Sequence, residues 1–392
     1  MKYIVTGGLG FIGSNISRIL VKNNHNVVII DNLHTGEKSR VTDFQNRIEF
    51  HKIDIRNKND MKPLFENVDG VFHNAALTDV QESYKKENEY HEVNVEGTKN
   101  IFELGRENNI KIIFASSASV YGNTNAIPIK ENFKHNAINP YGHTKVENEL
   151  MAKKFSNKGL RFIGLRYFNV FGIGQTNSYA GVITKFLRQL KEGKSPIIFG
   201  KGSQIRDFIH VEDVANANIR AMNSNVENDF FNVGSGVGTS ILELSKMMIR
   251  ISKLQIKPIF KPEVPGDVKF SKSSIDHAKN KLNWNPEILL HKGLKEMISN
   301  VQEQHKPNLQ QIKPQQVNPP RVQRTLLETQ SASRTPDISL DSYDLSNGVL
   351  DDLYGNADMS GMNTYNPEND NVDPMKLFEM QNHEVHLQLE LL

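Results

Sequence analysis

Within its first thirteen residues the chain runs from a short β-branched segment, KYIVT, directly into TGGLGFIG. Gly8, Gly10 and Gly13 satisfy GxGxxG, and Gly7, Gly10 and Gly13 satisfy GxxGxxG. A glycine cluster that follows a strand and opens a helix is a strong constraint on fold. The glycines let the backbone turn tightly and approach a pyrophosphate, which then sits on a helix N-terminus with free N–H groups and partial positive charge. An ordinary glycine-rich βα turn would show the same pattern. The second strand separates the two, because NVVIID ends on Asp31, about twenty residues beyond the loop. A carboxylate there accepts hydrogen bonds from ribose hydroxyls and repels a 2′-phosphate, so the expected cofactor is NAD rather than NADP. Asp54, closing the strand in FHKIDIR, either contacts the adenine or caps the following helix.

To about residue 165, KYIVT, NVVIID, IEFHKID, GVFHNAA and IKIIFASS alternate with amphipathic stretches. That alternation predicts an α/β Rossmann-type fold, a doubly wound parallel sheet with strands buried on both faces. Helical spacing runs from Glu82 to Asn108, through Tyr90, Val93, Ile101 and Leu104, and again from Pro140 to Phe155. Beyond LRFIGLRYFNVFG at 160–172, SPIIFG and DFFNVG read as short strands among helices near 181–192, 211–223 and 239–252. We therefore expect a NAD-binding domain over 1–165, to which some later segments return, and a smaller α/β substrate-binding lobe mainly over 166–302. Residues 303–392 are rich in Gln, Asn, Pro, Ser and Asp without sustained apolar periodicity, which predicts a disordered low-complexity tail.

Charge and residue usage narrow the partners. A formal net charge of +2 on 392 residues, with the basic residues scattered, does not point to nucleic acid and leaves a small molecule as the expected ligand. The chain has no cysteine, which excludes disulfides, thiol chemistry and cysteine-ligated metals; no metal site is expected. Structure begins by Gly7, leaving no room for a signal peptide, and no apolar run approaches the ~20 residues of a membrane span. These features predict a soluble cytoplasmic protein with no membrane partner.

In NPYGHTK, Tyr141 stands four residues before Lys145, so both could face one ligand on a helix. A phenol near its usual pKa of ~10 is a poor base, but an ammonium and a positive nicotinamide ring would both stabilise the phenolate. The spacing alone fits an exposed helix face equally well. Order adds more: the glycine loop, then the serine cluster IIFASSASVYG, then the Tyr/Lys pair about two dozen residues after Ser117. Together with DNLHTG, HNAA, NVEGT, RYFNVFG and RDFIHVEDVA, these segments resemble the extended short-chain dehydrogenase/reductases, and within them the NAD-dependent nucleotide-sugar epimerases. The resemblance runs from Met1 to about Ile298; the tail matches nothing in the family.

The resemblance implies roles for particular residues. Ser117 would hydrogen-bond the reacting sugar oxygen, Tyr141 would be the base, and Lys145 would hold the nicotinamide ribose and tune that base. Cofactor contacts are implied at Gly7, Gly10, Phe11, Ile12 and Gly13, at Asp31, Asn32, Asp54 and Ile55, at Ala75, Ala76 and Asn94, and at Tyr141 and Lys145 themselves. On the UDP-sugar side, Asn169 would meet the diphosphate, Arg206 would supply it a fixed cation, and Phe199 would stack on the base, with further contacts at Val182, Asp267 and Ser271. A homodimer paired through helices near 85–108 and 140–155 is also implied.

Related dehydratases carry Asp-Glu directly after the serine or threonine, and decarboxylating relatives carry a glutamate before Val-Tyr-Gly. This chain has Ala118 and Ser119 instead. The expected reaction is therefore reversible C4 epimerisation of a UDP-hexose through a 4-keto sugar. A UDP-glucuronate epimerase, a nucleotide-sugar reductase and a non-catalytic NAD-binding regulator are the alternatives. Family members usually carry arginine just before the Gly-Asp of EVPGDVKFS, where this chain has Val264 and Pro265; Lys269 could replace it. The resemblance places Ser271 beside the sugar's C2 substituent, where a small residue implies room for an acetamido group, so UDP-N-acetylglucosamine is an expected second substrate.

Overall fold

The computed structural model describes residues 1–303, apart from 125, 176–180 and 264–267. The Val264–Pro265 departure, Asp267 and nearly all of the predicted tail therefore lie outside the described residues. The strands in chain order are β1 (Lys2–Thr6), β2 (Asn26–Ile30), β3 (Ile48–His51), β4 (Gly70–His73), β5 (Lys111–Ser117) and β6 (Arg161–Tyr167). They continue with β7 (Asn169–Phe171), β8 (Ile197–Phe199), β9 (Ile205–His210), β10 (Asp229–Val233), β11 (Gly238–Ser240) and β12 (Ile259–Lys261).

Seven strands form one sheet in the order β10-β6-β5-β4-β1-β2-β3, and every pairing in it is parallel. This is the doubly wound α/β fold expected from the alternating pattern. Successive side chains explain the unbroken apolar runs. Tyr3, Val5, Val27 and Ile29 enter the core on one face, whereas Ile4, Val28 and Ile30 enter the core on the other. The helices Phe11–Lys22 and Val211–Asn223 supply Ile16, Leu20, Val214 and Ala217 to the first core, and Gly97–Glu107 and Pro140–Ser156 supply Ile101, Phe102 and Ala152 to the second.

Two details differ from the sequence expectation. DFFNVG was grouped with the later, less regular segments, but β10 is the outer strand of the large sheet, paired in register from Asp229 opposite Ile163 to Val233 opposite Tyr167. Its Phe230 and Phe231 enter opposite cores, so a five-residue strand is enough to anchor it. The stretch from Glu82 to Asn108 is not one continuous helix. It passes through Glu87–His91 and a π-helical turn, Glu92–Glu96, before Gly97–Glu107. The wide turn brings Asn94 inward, where its amide donates to the Leu77 carbonyl at 2.9 Å and accepts from the Leu77 N–H at 2.8 Å.

The remaining strands form two small sheets, β11-β9-β7 and β12-β8. A third core, including Phe171, Phe186, Phe208, Met248 and Leu294, packs the helices Val182–Lys191, Ile241–Ser252 and Leu290–Glu303 around them. In the large sheet, strand order reverses between β1 and β4, and a crevice at such a reversal is where doubly wound sheets bind ligands. Among the described residues no helix is long and apolar enough to cross a membrane.

Candidate active site

The glycine loop leaves β1 at this reversal. Gly7 has φ 65°, and a Cβ there would lie 2.8 Å from the Ala75 nitrogen beyond β4. A Cβ on Gly13 would collide with the Gly7 carbonyl oxygen, so the close return of helix onto loop requires glycine at that position. The helix Phe11–Lys22 starts from Gly10 without a side-chain cap, leaving its first-turn N–H groups for a ligand. Asp31 is buried at the end of β2, where its carboxylate accepts from the Leu9 N–H at 3.0 Å and the Leu33 N–H at 2.8 Å. Burial pushes its pKa up, while those two bonds and the nearby Arg40 pull it down.

Asn32 donates to Asp54 at 3.0 Å. Asp54 also accepts from the Arg56 backbone N–H at 2.9 Å and its guanidinium at 2.9 and 3.0 Å, and the Arg56 bonds hold it near a pKa of about 2. Its carboxylate thus closes a turn onto Arg56; the short helix Lys58–Met61 has Asn57 at its N-cap. Ile55 is buried against Gly97, where a Cβ would approach its side chain to 2.6 Å. Asn94 is wholly buried, its carboxamide committed to Leu77 and to Thr144 at 3.2 Å, so it positions the segment after β4 that contains Ala75 and Ala76.

The helix Pro140–Ser156 brings in the Tyr/Lys pair. Asn139 caps it by accepting from the Gly142 N–H at 2.8 Å, and Pro140 occupies the first turn. Tyr141 and Lys145 face inward. Lys145 is only 4% exposed, donates to the Ala115 carbonyl at 2.9 Å and lies 5.7 Å from the Tyr141 ring centre. Burial lowers its pKa to about 8. Burial raises the pKa of the Tyr141 phenol, and the nearby Ser117 hydroxyl opposes that rise.

A cleft of about 340 Å³ brings the glycine loop and the Tyr/Lys pair together, whereas Asp31, Asn32, Asp54, Ile55, Ala75 and Asn94 are not among its lining residues. The loop residues Gly7, Gly10, Phe11, Ile12 and Gly13 form one wall, and Ala76, Ser117, Tyr141 and Lys145 line the centre. Asn169 on β7, Val182 at the start of its helix and Phe208 of β9 also line it. No aspartate or glutamate lines the cleft among the described residues. Several liners were not singled out from the sequence, among them Asn74, Ser116, Tyr167 and Gln175. Tyr167 lay unread inside RYFNVFG; it donates to Asn74 at 3.3 Å and receives a bond from Asn218 at 2.8 Å.

A profile of the NAD dependent epimerase/dehydratase family matches residues 3–234. A Methanocaldococcus jannaschii protein provisionally named a UDP-glucose 4-epimerase is 40% identical over 301 residues, covering 76% of this chain and 97% of its own. The chain belongs to the NAD dependent epimerase/dehydratase family. The crystal structure of UDP-glucose 4-epimerase from Thermotoga maritima with UDP-glucose superposes with a TM-score of 0.75 at 32% identity, covering 78% of this chain and all of that one, 100%. A UDP-N-acetylglucosamine 4-epimerase from Methanobrevibacter ruminantium, in complex with UDP-N-acetylmuramic acid, gives 0.74 at 34% identity, over 77% of this chain and 98% of its own.

The remaining predicted contacts of this epimerase/dehydratase family member lie beyond the cleft. Arg206 is two residues before Phe208 on β9, hence on the same strand face and roughly 6–7 Å further along. Its guanidinium donates to the Ile205 carbonyl at 2.9 Å, and the Ser271 N–H donates to the same oxygen at 3.1 Å. Phe199 closes β8 with 46% of its surface exposed. Asp207, beside Arg206 in RDFIHVED, was missed as a structural anchor. Wholly buried, it accepts from Ser235 N–H and Oγ, both at 2.6 Å, and from Ser273 N–H at 3.0 Å and Oγ at 2.6 Å, tying β9 to the Ser271 segment.

The residues present fit NAD. The uncapped helix start suits a pyrophosphate, the Asp31 carboxylate suits a ribose diol, and the one guanidinium noted beside Asp31, that of Arg40, is engaged with Leu9, Thr35 and Gly174 carbonyls and with Glu37.

Proposed function

We propose that the protein interconverts the C4 epimers of a UDP-hexose, UDP-glucose and UDP-galactose first among them, as an NAD-dependent isomerase. The observation that carries this reading is a cleft holding Ser117, Tyr141 and Lys145 with no carboxylate among its described lining residues. Elimination of a C6 hydroxyl needs an additional acid, whereas C4 epimerisation needs one proton acceptor that later returns the proton. NAD, when bound, supplies a site for the C4 hydride and gives it back. Tyr141 takes the 4-hydroxyl proton at its phenolic oxygen and returns it after the 4-keto sugar has turned its other face to the cofactor. Ser117 holds the reacting oxygen beside Tyr141. Lys145, with its ammonium buried nearby, favours the phenolate.

We assign Gly7, Gly10, Phe11, Ile12, Gly13, Asp31, Asn32, Asp54, Ile55, Ala75 and Ala76 to the cofactor, with Asn94 acting through the backbone it holds. Asn169, Val182 and Arg206 take the diphosphate end, Phe199 the base, and Ser271 the sugar's C2 side. Lys269, whose carbonyl accepts from the Ile205 N–H at 2.9 Å, stands beside the Arg206 strand and is the proposed second cation. In this reading residues 1–165 with β10 serve the cofactor, the rest to 302 mainly serves the substrate, and the protein works in the cytoplasm as a homodimer. The small Ser271 and the likeness to a UDP-N-acetylglucosamine 4-epimerase support activity on N-acetylated sugars as well.

Incubation with a panel of UDP-sugars, with NMR identification of products, tests the reading. Purified protein carrying NAD should equilibrate UDP-glucose with UDP-galactose without net redox change. Stoichiometric consumption of NADH would instead identify a reductase, and turnover of UDP-glucuronate alone would identify the acidic sugar as substrate.

A further inference from the structure

We propose that Glu149 is a positioning residue that acts through Ser116 to hold Tyr141 in register with Ser117. Tyr141, Lys145 and Glu149 are spaced four apart and share one helix face. The face meets the last three residues of β5, and two of the three side chains are bonded to it. Tyr141 lines the cleft together with Ser117, Lys145 donates to the Ala115 carbonyl at 2.9 Å, and Glu149 accepts from Ser116 Oγ at 2.6 Å. The first two involve groups that take part in the proposed chemistry. The third belongs to a carboxylate outside the cleft lining, 0% exposed.

What surrounds Glu149 makes its grip stiff. Arg166 Nε donates to the same oxygen as Ser116, at 2.8 Å, while Arg166 Nη2 at 2.6 Å and His135 Nε2 at 2.8 Å reach the other oxygen. Arg166 is itself held by the Tyr121 hydroxyl at 2.7 Å and the Glu131 carbonyl at 2.9 Å. A buried ion pair of this kind is a weak source of net stability compared with apolar packing, so fixing geometry is its better use here. Proton transfer needs that geometry, since about 1 Å of misplacement can cost on the order of a hundredfold in rate.

The kinetic arm of the test rests on the epimerase reading above; the structural arm does not. Ser116→Ala removes the grip but leaves Glu149 with Arg166 and His135, so no buried charge is abandoned. Its kcat with UDP-glucose should fall about tenfold or more, with KM and bound NAD unchanged. Ser116→Cys, similar in shape but a weaker donor, should fall in between. In a crystal structure of Ser116→Ala, the Tyr141 hydroxyl should be displaced from Ser117 by about 1 Å relative to the wild type. A kcat within about twofold of wild type, a lowered melting temperature as the only change, or an unchanged separation of Tyr141 from Ser117 would overturn the inference. Absence of turnover by the wild type would count against the functional reading, and the crystal structure would still decide this one.

Discussion

Lys145 carries opposing consequences for stability and catalysis. Its pKa in the folded protein is about 8, against the ordinary 10.5, because burial disfavours the ammonium. Below pH 8 both folded and unfolded chains hold the proton, and the buried charge is a standing cost. Between about 8 and 10.5 the unfolded chain keeps the proton that the folded one releases, so this group's contribution to stability rises with pH. Urea unfolding of wild type and Lys145→Met should therefore diverge in favour of wild type across that window and run parallel below it. Activity should move the other way, since a neutral Lys145 no longer stabilises the phenolate. Tyr141→Phe and Ser117→Ala should each lower kcat by about 10²–10⁴-fold while NAD still co-purifies, as measured by the absorbance of released cofactor.

At the scale of elements, the helix Pro140–Ser156 shows why a surface reading and a buried reading of NPYGHTK could not be separated by pattern. Its buried residues are Gly142, Thr144, Lys145, Asn148, Glu149 and Ala152, so the face turned to the sheet is largely polar and apolar periodicity cannot reveal it. Such a face is stable only if its groups are paired. Arg166→Met alone would leave Glu149 buried without its main partner and should cost about 3–5 kcal/mol in chemical denaturation. The double change Glu149→Leu with Arg166→Met should recover much of that loss, because an apolar pair of similar volume replaces the ions. Elements whose inner faces are apolar were easier to read. The strands β1 and β2 and the helix Ile241–Ser252, whose Ser240–Glu243 capping box marks its start, lie within a residue or two of their expected positions.

For the whole molecule, the exposed Leu150 at 48% and Tyr84 at 58% stand on or beside the helices proposed to pair in a homodimer. Leu150→Glu should therefore shift sedimentation velocity from dimer to monomer, with the NAD content of the protomer retained. Local chemistry was sufficient for a good part of the protein. Glycine spacing, the terminal Asp31 and alternating apolar runs carried the doubly wound sheet and the choice of NAD, because turn sterics and strand periodicity act over a few neighbouring residues. Long-range pairing decided the rest. Placing β10 beside β6, bringing Tyr167 against Asn74, making Asp207 an anchor for the Ser271 segment and closing Glu149 onto Ser116 all join residues well apart in the chain. No short stretch encodes such contacts, since each exists only once the sheet has stacked both partners at one end. The sequence by itself determined the fold class and the cofactor loop, which short-range sterics encode; the tertiary structure decided which residues distant in the chain stand together beside them.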